Sequence, residues 1–191
     1  MKFYRPLPIN KEIIIHSKEF LVSKTDKYGN IIYVNEFFSK ISQYSNHESI
    51  GQPHNILRHP DMPAVIFFLM WKQIQRGENI TALVKNLAKS GEYYWVTTDF
   101  EIHKNDGASD TTYIAFRRGA SRKVIKKLEP LYKQLLEIEK KHSMKASVLY
   151  LQGFLDERHQ TFNEYMDEIL KPKGLFSIFF NKMKDNFAHA A

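Results

Sequence analysis

The sequence predicts an α+β fold, with one five-stranded antiparallel sheet covered by helices and a helical extension towards the C-terminus. Three observations point to it. Strand-like runs at 20–24 and 31–34 precede a helical block, and three more at 79–87, 93–103 and 111–117 follow it, with turn-forming residues inside each group. Between the groups, 64–71 carries no charge, and its apolar residues wrap most of a helical circumference, as in a helix lying on a sheet. Beyond residue 120 the spacing is helical throughout.

Composition narrows the function. At 191 residues and 43% hydrophobic, the chain has enough material for one domain with an appendage. The net charge of +7 is spread out, with 15 basic against 12 acidic residues in 1–119 and 13 against 9 in the remainder. No basic stripe suggests nucleic acid, so the charge is expected to serve solubility and to steer acidic partners. Cysteine is absent, which removes disulfides, thiolate metal sites, iron–sulfur clusters, covalent haem attachment and cysteinyl flavin adducts. The apolar runs at 13–15 and 64–71 are too short for a signal-peptide core or a membrane span. A cytoplasmic protein is expected, reaching a membrane only through a partner. No Ser/His/Asp order, glycine-rich phosphate loop or paired-metal spacing suggests an enzyme.

In chain order, residues 1–19 are an entry segment held open by Pro6 and Pro8. The turn Asp26-Lys27-Tyr28-Gly29-Asn30 joins the first two strands, and Glu36 to Tyr44 reads as a short helix presenting Phe37, Phe38 and Ile41. Residues 51–77 set the densest polar cluster, His54, Arg58, His59 and Asp61, against the apolar run. A helix is expected over about 63–76, with Asp61 as N-cap, Pro63 in the first turn, Lys72 and Arg76 at the C-terminal end and Gly77 as stop. Arg58, just before that helix, suits a phosphate or carboxylate held by forked hydrogen bonds; a simply solvated Arg58 and a purely capping Asp61 fit equally.

Alternation over 79–87 puts Asn86 on one face with Ile80, Ala82 and Val84. An amide there needs the backbone or a ligand as partner, since burying it alone costs about 1–3 kcal/mol. The strand at 93–103 turns Tyr94, Val96, Thr98, Phe100 and Ile102 inward, and Trp95 to the opposite face as a contact for another segment or subunit. Ser121 caps a helix containing Pro130, whose Val124, Leu128, Leu131, Leu135 and Ile138 form a seam that suits either the sheet or a partner. A second amphipathic stretch runs over 144–158, and a third opens with the capping box Thr161 to Glu164. The stripe of Phe176, Phe179, Phe180, Met183 and Phe187 suits protein docking better than a membrane surface.

The run Asp26 to Asn35, the stretch from Gly51 to Pro63 containing Arg-His-Pro-Asp-Met-Pro, the pair Met70-Trp71, Val84-Lys85-Asn86 and Tyr94-Trp95-Val96 resemble the flavin-binding PAS domains of bacterial aerotaxis and energy-taxis receptors. The resemblance covers about residues 20–119. It implies a PAS sensor domain over 20–119, to which the residue patterns outside it add a cap at 1–19, a connecting helix over 120–142 and a C-terminal helical extension over 143–191. It also implies non-covalent FAD, with His54, Arg58, His59 and Asp61 on the phosphate and adenine side. Asn86 would then meet the isoalloxazine edge and Trp71 would pack the cofactor helix.

The family often carries a Trp where Ile80 follows Gly77-Glu78-Asn79 here. The expected function is a stand-alone redox sensor signalling to a separate membrane chemoreceptor, with a homodimer left open. A haem gas sensor using His54 or His59, and a cofactor-free interaction module whose pocket Ile80 fills, are the alternatives.

Overall fold

A computed structural model describes residues 5–16, 18–104 and 111–170. Strands β1 (Leu21–Thr25) and β2 (Ile31–Val34) form the opening hairpin. The Asp26 carboxylate accepts from the backbone N–H of Tyr28 and Asn30 at 2.9 and 2.8 Å and from the Asn30 side chain at 2.9 Å. These bonds hold its pKa below the usual range, although burial opposes them as the largest single influence. Gly29 has φ +85°, and a Cβ there would stand 2.7 Å from the Trp71 ring.

Asn35 ends the hairpin and caps α1 (Glu36–Ser42), accepting from Phe38 N–H at 2.9 Å and Val22 N–H at 3.0 Å. A single turn, α2 (Asn46–Ser49), and a 3-10 turn at His54–Leu57 follow. Helix α3 (Ala64–Gln75) comes next, one residue inside each expected end. Its start corrects the expected cap. Pro63 holds the N-cap position without a side-chain bond, and Asp61 instead makes an ion pair with Lys85 at 2.7 Å. The open amides of α3 are met from far along the chain, by Glu139.

Strands β3 (Thr81–Leu87), β4 (Tyr93–Lys104) and β5 (Thr111–Gly119) complete an antiparallel sheet in the order β2-β1-β5-β4-β3. The first and last strands meet inside the sheet because β1 pairs with β5, Ser23 opposite Ala115. One face, bearing Val84, Asn86, Thr98, Phe100, Ala115 and Arg117, looks towards α3 across a cavity.

The chain's own helices cover the other face. Helix α4 (Arg122–Lys141) passes through Pro130 unbroken, α5 is Met144–Asp156 and α6 is Phe162–Leu170. Leu128, Leu131 and Leu135 are buried, so the seam docks back on the domain, and the Tyr132 hydroxyl donates to Leu83 O at 2.9 Å. The Thr161–Glu164 capping box forms as expected, with bonds of 2.7 and 3.2 Å. Trp95 is buried in the core cluster that also contains Ile125 and Leu128, so internal packing accounts for it. The entry segment runs beside β4, where Tyr93 N–H donates to Lys11 O at 2.9 Å, and Glu12 pairs with Arg122 at 2.7 Å. The aromatic stripe at 176–187 lies outside the described residues.

Candidate functional site

Between α3 and the sheet lies a cavity of about 420 Å³, within the range of small-molecule sites. Its apolar walls come from Phe67, Phe68, Met70, Trp71 and Ile74 of α3 and from Val84, Phe100 and Tyr113 of the sheet. Trp71 meets Tyr113 edge to face with centroids 5.7 Å apart and packs over Gly29, which fixes its ring at the wall. Tyr28, Phe68 and Met144 line the cavity while standing 75%, 40% and 40% exposed, so they form its rim.

Four of the six expected residues line this space: His54, Arg58, Trp71 and Asn86. Asn86 is 4% exposed, and its Nδ2 has no hydrogen-bond partner. The buried Tyr94 hydroxyl feels that amide, yet neither group makes a bond of good geometry. Thr98 Oγ1, also on the lining, is buried and unpaired as well. Two unsatisfied polar groups on one wall are costly unless a guest completes them.

Arg58 pairs its backbone with Asn86, donates from Nη2 to Met62 O at 3.2 Å and sets its guanidinium 4.8 Å from the Phe67 ring centroid. Burial lowers its pKa, and the field of Glu139 partly restores it.

His59 and Asp61 belong elsewhere. His59 is 3% exposed but packs edge to face on Tyr93, and its Nδ1 accepts from Asp61 N–H at 3.1 Å. Burial and the Lys85 charge push its pKa down to about 4, so it is neutral near pH 7. Neither residue borders the cavity, because the turn at 59–62 points both towards the Lys85 side of β3. Ile80 is buried and does not line the cavity either, so the space remains open, against the alternative in which Ile80 fills it.

Sequence reasoning missed Arg117. It is 3% exposed on the cavity wall, and among the described residues it has no ion-pair partner. Its Nη1 donates to Ser23 Oγ at 2.9 Å and Ala115 O at 3.3 Å, and its Nη2 donates to His54 Nε2 at 2.9 Å. Ser23 Oγ is 3.1 Å from the same imidazole nitrogen. A guanidinium only donates, so His54 Nε2 must be the acceptor and the ring neutral. Burial, seconded by the Arg117 charge, holds the His54 pKa well below its ordinary value. Burial also pushes Arg117 itself down to about 10. The available signal was alternation, since Arg117 is in phase with Tyr113 and Ala115 on β5.

A wall carrying a buried cation, an unpaired amide and an unpaired hydroxyl faces an apolar helix, an arrangement suited to a small molecule with one polar edge. Residues 31–116 match the PAS-fold family. The aerotaxis receptor of Escherichia coli strain K12 is 39% identical over 115 residues, 60% of this chain and 22% of that protein. The bacterioopsin transcriptional activator of Halobacterium salinarum is 24% identical over 100 residues, 52% of this chain and 15% of that protein. Thus the chain spans less than a quarter of either relative's length. A solved light-oxygen-voltage domain, from a study with a flavin analogue, superposes at TM-score 0.50 with 19% identity, over 58% of this chain and 83% of that one. The fold is that of a PAS domain. More particularly, the part of the chain that carries this fold is similar to an aerotaxis receptor. Among the described residues no helix is long and apolar enough to cross a membrane, and no cluster of three His, Asp or Glu is placed to hold a metal.

Proposed function

We propose that this chain is a redox sensor that holds FAD non-covalently in the cavity and passes the flavin's redox state to a separate signalling protein, a membrane chemoreceptor in aerotaxis. The observation that carries this reading is a wall with two unpaired groups, Asn86 Nδ2 and Thr98 Oγ1, beside the Arg117 guanidinium, which is hydrogen-bonded but has no counter-charge among the described residues. The flat ring system of a flavin has one polar edge and one apolar end, which suits that wall and the α3 aromatics. The likeness to the aerotaxis receptor and to the light-oxygen-voltage fold supports a flavin among possible guests.

In this reading Asn86 and Thr98 pair with the polar edge of the ring, and Trp71 and Phe67 of α3 pack against its apolar part. Arg58 faces the tail. Bound flavin would supply reversible electron uptake, which makes its ring more negative. Arg117 meets that charge, and its bonds tie β5 to β1 through Ser23 and to the 3-10 turn through His54. A stronger pull on the guanidinium therefore reaches three elements at once, and β5 leads directly into α4. The sensor would span 20–119, the connecting helix 120–142 and the extension 143–191, behind a cap at 1–19.

Haem is a poorer guest, because His54 spends Nε2 on Arg117 and Ser23 and His59 is turned away from the cavity. The test is cofactor extraction and FAD titration of the wild type with Asn86→Ala and Arg58→Ala. Weaker FAD retention in both variants is expected, and unchanged flavin content in both would remove the site assignment.

A further inference from the structure

We propose that Glu139 is a charge-selective residue at the cavity mouth, coupling the tail of the bound ligand to the docking of the α4–α5 corner. The proposal rests on the flavin reading above and adds the role of the helical extension. The Glu139 carboxylate accepts from the N–H groups of Ala64 at 2.6 Å and Val65 at 2.8 Å, the first amides of α3. No residue of the preceding turn caps α3, so this carboxylate from α4 is its cap. Five residues further on, Met144 opens α5 and shares the cavity rim with Phe68. The corner therefore borders one side of the rim, by which a ligand longer than the cavity can leave it.

Arg58 borders the same cavity, and Glu139 supplies the negative field that supports its charge. A phosphate arriving at Arg58 takes over as counter-charge and repels the carboxylate from the α3 amides. An uncharged tail does neither. Linkage makes the effect reciprocal: an anionic tail loosens the corner, and a seated Glu139 weakens binding of that tail by the same factor. The corner thus reports what the pocket holds, through a contact that binds no ligand atom.

The experiment titrates the apo 191-residue chain with riboflavin, FMN and FAD by fluorescence quenching, in the wild type and in Glu139→Gln. The glutamine keeps an acceptor for an α3 amide but loses the charge. Riboflavin affinity should stay within about twofold, while FMN and FAD bind about tenfold tighter in the variant. In the wild type, FAD but not riboflavin should speed hydrogen exchange over 139–150.

Equal shifts for all three flavins, or none, with binding intact would remove this proposal and leave the flavin reading standing. Failure of every flavin to bind either protein would remove both. Met144→Ala separates charge from bulk, because a tail-selective gain there as well would assign the effect to the rim rather than to Glu139. If Glu139→Gln does not fold, the exchange comparison decides, and equal rates with riboflavin and FAD overturn the coupling.

Discussion

Replacing Arg117 by Met should leave the apo protein at least as stable as before while sharply weakening its hold on flavin. Arg117 is buried, and its guanidinium is pushed down to about 10 from 12.5. A depression of that size corresponds to roughly 3 kcal/mol of burial cost. At pH 7 the group is charged in both the folded and unfolded states, so the folded protein bears the whole cost. It disappears only as pH rises past about 10, where the folded form loses its proton first. Against this stand the bonds to Ser23, Ala115 and His54, each contributing about 1 kcal/mol net.

Ser23 Oγ and His54 Nε2 lie 3.1 Å apart and keep one another as partners when the guanidinium goes. The expected change in apo stability is therefore between zero and a gain of about 2 kcal/mol, as when buried charges are replaced by well-packed apolar groups. Flavin affinity should fall at least about tenfold, since the charge facing the ring is lost. Urea unfolding without ligand, with a parallel FAD titration, reads both. A loss of more than about 2 kcal/mol in the apo protein together with unchanged FAD affinity would make Arg117 a structural tie and refute the reasoning.

Three further outcomes are expected. Asn86→Leu removes an unpaired buried amide, so the apo protein should keep its stability or gain up to about 1 kcal/mol while FAD retention drops; a large loss of stability would mean the amide is already satisfied. Gly29→Ala forces a Cβ against Trp71 at a positive φ and should destabilise by about 1–3 kcal/mol with a shifted tryptophan emission, and a silent spectrum would contradict the contact. His59 is held at about 4 against an ordinary 6.5, so unfolded chains take its proton first; stability should be full above pH 6.5 and fall between pH 6.5 and 4. His59→Gln should flatten that part of the pH profile, and an unaltered slope would assign the loss to other groups.

The order of elements was legible because strand alternation and turn chemistry are local. The Asp26 turn and the Thr161 capping box both act within a few residues of themselves. The start of α3 was misread for the opposite reason. Asp61 is a good N-cap by type, but Lys85 claims its carboxylate, and the capping carboxylate comes from 75 residues away.

Among the cavity-lining residues, Asn86 was readable from its phase on β3 and Arg58 from its place before the apolar helix, whereas Trp71 came only from the family resemblance. Arg117 was not singled out, because a basic residue near a strand end reads as solvated unless the opposing Ser23 and His54 are known. His59 and Asp61 share the polar cluster in sequence with His54 and Arg58. The 3-10 turn and the bend after it divide them, sending one pair to the cavity and the other to the Lys85 side of β3.

The most direct test of a flavin held in this cavity is the visible spectrum of the purified protein, with the chromophore released by denaturation and identified. The account predicts flavin absorption in the blue, fluorescence that appears on release, and FAD in the extract. A Soret band, or a colourless protein that does not bind added FAD, would contradict it.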